Sequence, residues 1–135
     1  MDGRNRPKKQ SELTVLTKAK ELNKYVTNAT TKSPKVFRMT YVVKLQNMAL
    51  EAMRLLFKAN TYTLSKDSPE DCAERLKCQR EAYTELQLLG TFLFAANEVG
   101  CITYKQLEQS TKLQSDTLRL LHSWKESDLK RLGVE

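Results

Sequence analysis

Glycine and proline are scarce in this chain, four and three in 135 residues. Sandwiches, barrels and disulfide-knotted domains need many tight turns, and turns draw on these two residues, so the scarcity weighs against all three. Cysteine is equally thin. Cys72, Cys78 and Cys101 are an odd number with no Cys-x-x-Cys pair, which excludes a disulfide framework and a zinc motif. The single histidine, His122, has no cysteine or acidic companion at metal-ligand spacing. Gly3, Gly90, Gly100 and Gly133 are isolated, so no phosphate-cradling loop exists. Glu81 and Glu85 share a helix face, but the Glu-x-x-His pattern of carboxylate-bridged bundles is missing. No run reaches the ~18 apolar residues of a membrane span. Met1–Gln10 is polar and basic without the apolar centre of a secretory signal. The expectation is a cytoplasmic protein that is not an enzyme: no catalytic residues, metal, cofactor, small-molecule substrate or membrane contact.

What is present suits one soluble domain. Apolar residues make up 40% and charged residues 29%, and 135 positions suffice for one hydrophobic core. The charge is polarised along the chain. Residues 1–66 hold 14 basic and 4 acidic side chains, a net +10, whereas residues 67–135 hold 9 and 12, a net −3. A chain divided in this way can lay a basic stripe along one face, and such a stripe attracts polyanions.

Apolar spacing predicts four helices. Residues 1–10, with Arg4, Arg6, Lys8 and Lys9 around Pro7, read as a disordered basic arm. Ser11 is a plausible N-cap for a first helix whose seam is Leu13, Leu16, Ala19, Leu22, Val26 and Ala29. Lys32-Ser33-Pro34-Lys35 breaks it. A second helix, from about Val36 to Asn60, carries Phe37, Tyr41, Leu45, Met48, Ala52, Leu55, Leu56 and Ala59; its periodicity outweighs the strand preference of Val42 and Val43. Ser68-Pro69-Glu70-Asp71 starts a third, with Ser68 as cap and two acids at the positive end of the dipole. Its seam is Cys72, Leu76, Ala82, Tyr83, Leu86, Leu89, Leu93, Ala96 and Val99, and Gly100 ends it in a left-handed cap. Thr103 and Gln106 match a capping box, with Ile102 and Leu107 as staple, for a fourth helix through Leu113, Leu118, Leu121 and Trp124. Asp116 and Arg119 are spaced to pair. The expected fold is all-α, an up-down-up-down antiparallel four-helix bundle over residues 11–132.

The candidate ligand-binding residues are basic. Lys32, Lys35 and Arg38 cluster at the first interhelical turn, Lys44, Arg54 and Lys58 project from the second helix, and Lys24 lies on the first. Such side chains position a nucleic-acid backbone without reading bases. Tyr25, Tyr41 and Phe57 lie near them as candidate stacking groups, although Tyr41 and the phenylalanines read more readily as core. Arg75, Lys77 and Arg80 form a second, diluted basic cluster.

Leu13-Thr14-Val15-Leu16-Thr17-Lys18-Ala19, the turn Lys32-Ser33-Pro34-Lys35, and the stretch from Ile102-Thr103 through Leu107 to Leu121-His122-Ser123-Trp124 resemble one family. This is the four-helix-bundle family that includes the accessory variability determinant of diversity-generating retroelements and the ribosomal-RNA intervening-sequence proteins. The similarity spans roughly residues 12–128. The second helix ends in Leu56-Phe57-Lys58-Ala59-Asn60 rather than the Asn-Ile-Ala-Glu-Gly-like end of the intervening-sequence branch, so the accessory proteins are the better match. The resemblance implies a basic, barrel-like homopentamer that binds a reverse transcriptase and its template RNA, with cDNA binding left open. A different class stays open beside it: a helical protein-interaction module of a bacterial complex, without nucleic-acid binding.

Overall fold

The computed structural model describes the backbone of residues 7–133 and the side chains of residues 14–133. Four helices account for nearly all of it: α1 Pro7–Thr31, α2 Val43–Thr61, α3 Pro69–Glu98 and α4 Tyr104–Arg131, with no strand among the described residues. A 3₁₀ turn, Lys35–Phe37, and a π turn, Arg38–Val42, lead directly into α2. Together they form the one helical element that the spacing predicts from Val36. The wider π turn keeps Phe37, Tyr41 and Leu45, each four residues apart, on the inner side. Phe37 and Tyr41 meet edge to face at 6.0 Å.

Helix ends follow local chemistry. Gly100 has φ +86°. The Cys101 amide donates to the Ala96 carbonyl at 2.8 Å and the Gly100 amide to Asn97 at 3.1 Å, the paired bonds of a Schellman cap. The Thr103 hydroxyl accepts from the Gln106 amide, and the Gln106 side chain accepts from the Thr103 amide, closing the expected capping box over the buried Ile102 and Leu107. Two expectations change. Ser68 holds the N-cap position of α3, but its side chain makes no capping bond; Pro69 at the first helical position sets the start. The first helix begins at Pro7, not after Ser11, so residues 7–10 are helical backbone rather than arm. Residues 1–6 of the expected arm, and the side chains of Ser11 and Leu13, lie outside the described residues.

Each helix packs against its two neighbours in the ring α1–α2–α3–α4, which closes with α1 against α4. The turns confirm the alternating directions. At one end the Cys101 thiol reaches the Ser33 hydroxyl at 3.6 Å, joining the α1–α2 and α3–α4 turns. At the other, Arg75 near the start of α3 donates to the Tyr62 carbonyl after α2 and to Asp128 near the end of α4. Leu22, Leu45, Leu56, Leu86, Leu89, Leu93, Leu121 and Trp124 fill the space between. Burying a side chain of this size contributes roughly 1.5–3 kcal/mol.

The interior is more polar than the apolar seams imply. On α4 the buried positions run Leu107, Ser110, Gln114, Thr117, Leu121, Trp124 and Asp128, alternating steps of three and four. Leu113 and Leu118, taken from the sequence as seam, lie half-buried on its flanks. On α3, Arg75 and Gln79 are buried, whereas Tyr83 and Val99 are exposed. Arg75 therefore leaves the surface cluster in which its sequence neighbours placed it. Its guanidinium lies 5.0 Å from the centre of the Trp124 ring. Among the described residues, no helix is long and apolar enough to cross a membrane.

Candidate nucleic-acid interface

The basic residues singled out by the sequence are all exposed: Lys24, Lys32, Lys35, Arg38, Lys44, Arg54 and Lys58. Lys32 follows α1, Lys35 stands in the 3₁₀ turn, Arg38 opens the π turn, and Lys44, Arg54 and Lys58 lie on α2. Between Lys32 and Lys58 the only acidic residue is Glu51. Continuous helix from Lys35 to Thr61 thus carries five of these cations outward, while Lys24 stands apart on α1.

Glu51 is already engaged. Arg54 donates to it from Nε at 3.0 Å and Nη2 at 2.7 Å. This hydrogen bond lowers the Glu51 carboxyl below its usual range and raises the Arg54 guanidinium. The Arg54 fork is therefore less available to a phosphate than its exposure suggests. Lys24, Lys32, Lys35, Arg38, Lys44 and Lys58 make no ion pair among the described residues, so their charge is open to a ligand.

Lys44 and Arg54 line an open groove of about 860 Å³ along α2. Lys20 of α1 lies across it and adds a third cation to the groove. Glu85 of α3 also reaches this groove; burial, and then the charge of Glu51, push its carboxyl above the usual range.

The aromatic candidates divide. Phe57 is 64% exposed, which corrects its reading as core and leaves its ring face accessible between Arg54 and Lys58. Phe94 is also exposed on α3. Phe37, Tyr41 and Phe92 pack against the core, half-buried, and Tyr25 is half-buried on α1. Phe57 lies off the periodic seam of Leu45, Met48, Ala52, Leu55, Leu56 and Ala59, which is the side that faces inward; only its residue type spoke for core.

His122 is exposed on α4, Cys72 is half-buried, and Cys78 and Cys101 are buried and free. Burial raises the Cys78 thiol above its ordinary value, which favours the neutral form. Among the described residues no group of three His, Cys, Asp or Glu side chains is placed to hold a metal ion. Comparison with protein-family models, with curated proteins and with solved structures finds no match to this chain.

Proposed function

We propose that this chain is a non-catalytic accessory subunit of a diversity-generating retroelement, which binds the reverse transcriptase and its template RNA through its basic surface. The observation that carries the reading is the run from Lys32 to Lys58, where the outward cations face solvent and the one acid is occupied by Arg54. Such a surface suits a phosphate backbone, which is held by point charges and forks and needs no enclosed pocket. Assembly into a ring of five copies belongs to the same reading and rests on the family resemblance alone.

Fluorescence anisotropy with a labelled RNA, repeated across salt concentrations, tests the nucleic-acid half. Phosphate contacts release counterions, so affinity should fall steeply and linearly on logarithmic axes. Reversing charge at Lys35, Arg38, Lys44 and Lys58 together should abolish binding with helicity intact; unchanged affinity rejects this face. Affinity capture from the host, with mass spectrometry and RNA sequencing, tests the other half. Recovery of a reverse transcriptase with one structured RNA supports the accessory role, and unrelated proteins without enriched RNA reject it.

The second reading, a protein-interaction module, is favoured by one specific feature. The outer face of α2 is apolar as well as basic.

A further inference from the structure

Val43, Leu50 and Phe57 are seven residues apart on α2 and are 39%, 47% and 64% exposed. Seven residues are close to two helical turns, so the three side chains fall on one line about 21 Å long. Met53, half-buried, lies beside that line and shares the groove wall with Leu50 and Phe57. Val36 in the 3₁₀ turn and Met39 in the π turn, at 77% and 83%, are further exposed apolar side chains ahead of α2. Exposed apolar residues scattered singly need no explanation, but a continuous line of them marks an interaction surface. The inner face of α2 builds the core, and its outer face is left uncovered among the described residues.

We propose that the outer face of α2 docks an acidic amphipathic helix of a partner protein. Taking that partner from the same complex rests on the accessory-subunit reading; the chemistry of the face does not. The flanks decide the partner's charge. Lys44, Arg54 and Lys58 lie along one edge of the line, toward α3, and Lys20 of α1 lies across the groove. Glu51 is spent on Arg54 and Glu85 of α3 is the second acid of the groove, so Lys20, Lys44 and Lys58 still leave its rims net positive, for carboxylates supplied by the partner. A helix laid into an apolar groove between charged rims reads as a strip of anchors at three- and four-residue spacing.

Other occupants fit less well. A nucleic acid offers bases to stack and phosphates to pair, and Val43, Leu50 and Met53 provide for neither. A second copy presenting the same face would set lysine against lysine. No other helix among the described residues offers a matching line. On α3 the exposed Tyr83 and Phe94 lie on one side and Leu88 on another, Val99 follows the helix as its C-cap, and on α4 Tyr104 stands alone. Lys44 and Lys58 border this face, and Lys32, Lys35 and Arg38 stand beyond it, before α2 begins.

The probe is a fluorescein-labelled amphipathic peptide of about 21 residues, leucine at a and d positions and glutamate beside them, with a lysine-for-glutamate version as control. The full chain should bind the glutamate peptide at least tenfold more tightly than the lysine peptide. Leu50→Glu and Phe57→Glu, both at exposed positions, should each weaken binding at least tenfold with an unchanged circular dichroism spectrum. Lys44→Glu/Lys58→Glu should shift preference toward the lysine peptide. RNA binding should survive Leu50→Glu. Equal affinity for both peptides, or wild-type affinity in both apolar-face variants, overturns the proposal. So does an oligomer by light scattering that Leu50→Glu dissociates, because a second copy then covers the face. If the chain fails to bind RNA while the peptide results hold, the accessory-subunit reading falls and the docking face stands. If RNA binding holds and the peptide results fail, the docking face alone is rejected.

Discussion

Arg75 and Asp128, 53 positions apart in the chain, meet side-on inside the bundle: Nε donates to Oδ2 at 2.8 Å and Nη2 to Oδ1 at 3.1 Å. They are 4% and 3% exposed. The Gln79 amide adds a third bond to Asp128 at 2.8 Å, and Arg75 also holds the Tyr62 carbonyl at 3.1 Å. One buried cluster thus ties the start of α3 to the end of α4 and to the chain leaving α2. It fixes helix register at the end opposite the Ser33–Cys101 contact.

Breaking this pair should cost more than replacing it. Asp128→Ala leaves the Arg75 charge and the Gln79 amide without their carboxylate in a dry interior, a loss of about 3–5 kcal/mol. The double variant Arg75→Met/Asp128→Leu removes both charges and fills similar volume, and should be clearly more stable than Asp128→Ala. Urea unfolding of the three proteins measures this. A loss below about 1 kcal/mol for Asp128→Ala would show that the ion pair carries little.

Gly90 answers to a single neighbour. A Cβ built there meets Gln114 Nε2 at 2.7 Å, and that amide donates to the buried Leu86 carbonyl at 2.9 Å. Alanine inside a helix is ordinarily worth about 1 kcal/mol over glycine. Here Gly90→Ala should destabilise, because Gln114 must give up its bond to make room. In a Gln114→Ala background the same change should become stabilising, and the sign reversal in a double-mutant cycle identifies the contact.

The helix ends were legible in the sequence because capping is chemistry within a few residues, as Thr103 with Gln106 and Gly100 show. The polar interior was not. Ser110, Gln114, Thr117 and Asp128 occupy inward positions of α4, and reading apolar residues alone slides the seam onto Leu113 and Leu118. Ser110 and Thr117 donate to carbonyls of the preceding turn, whereas Gln114 and Asp128 are admitted by partners far along the chain, Leu86 and Gly90 for the one and Arg75 and Gln79 for the other. The candidate interface was legible as charge, since lysines stay in water. The Arg54–Glu51 pair is local chemistry three residues apart, and the seam of α2 leaves Phe57 outside; what packing alone brings is Lys20 of α1 and Glu85 of α3 to the same groove.

Gly100 contrasts with Gly90. Nothing lies within 4 Å of a Cβ at Gly100, yet its φ of +86° is strained for any side chain. Gly100→Ala should therefore cost about 1 kcal/mol through the backbone alone. Gly100→Asn should cost less, because asparagine tolerates the left-handed region. Thermal unfolding of the two variants distinguishes this from a packing effect, in which the larger asparagine would do worse.

Two glutamates that line the α2 groove should show opposite pH signatures. Burial, and then the charge of Glu51, hold the Glu85 carboxyl above its ordinary value, so the folded chain binds this proton more tightly than the unfolded one. Ionising Glu85 therefore opposes folding: the cost is absent below the unfolded value of about 4.3 and complete above the higher folded value. Glu85→Gln should raise the melting temperature slightly near pH 7 and change nothing near pH 3. Glu51 runs the other way. Its hydrogen bond from Arg54 lowers the folded value, so its contribution is present above the unfolded value and fades as pH falls through the folded one. The pair is exposed, and solvent screening keeps that contribution small. Glu51→Gln should thus lower the melting temperature slightly near pH 7, with the difference closing in acid. Scanning calorimetry of both variants at the two pH values decides the matter, and effects of the same sign at pH 7 would contradict the assignment of either carboxyl.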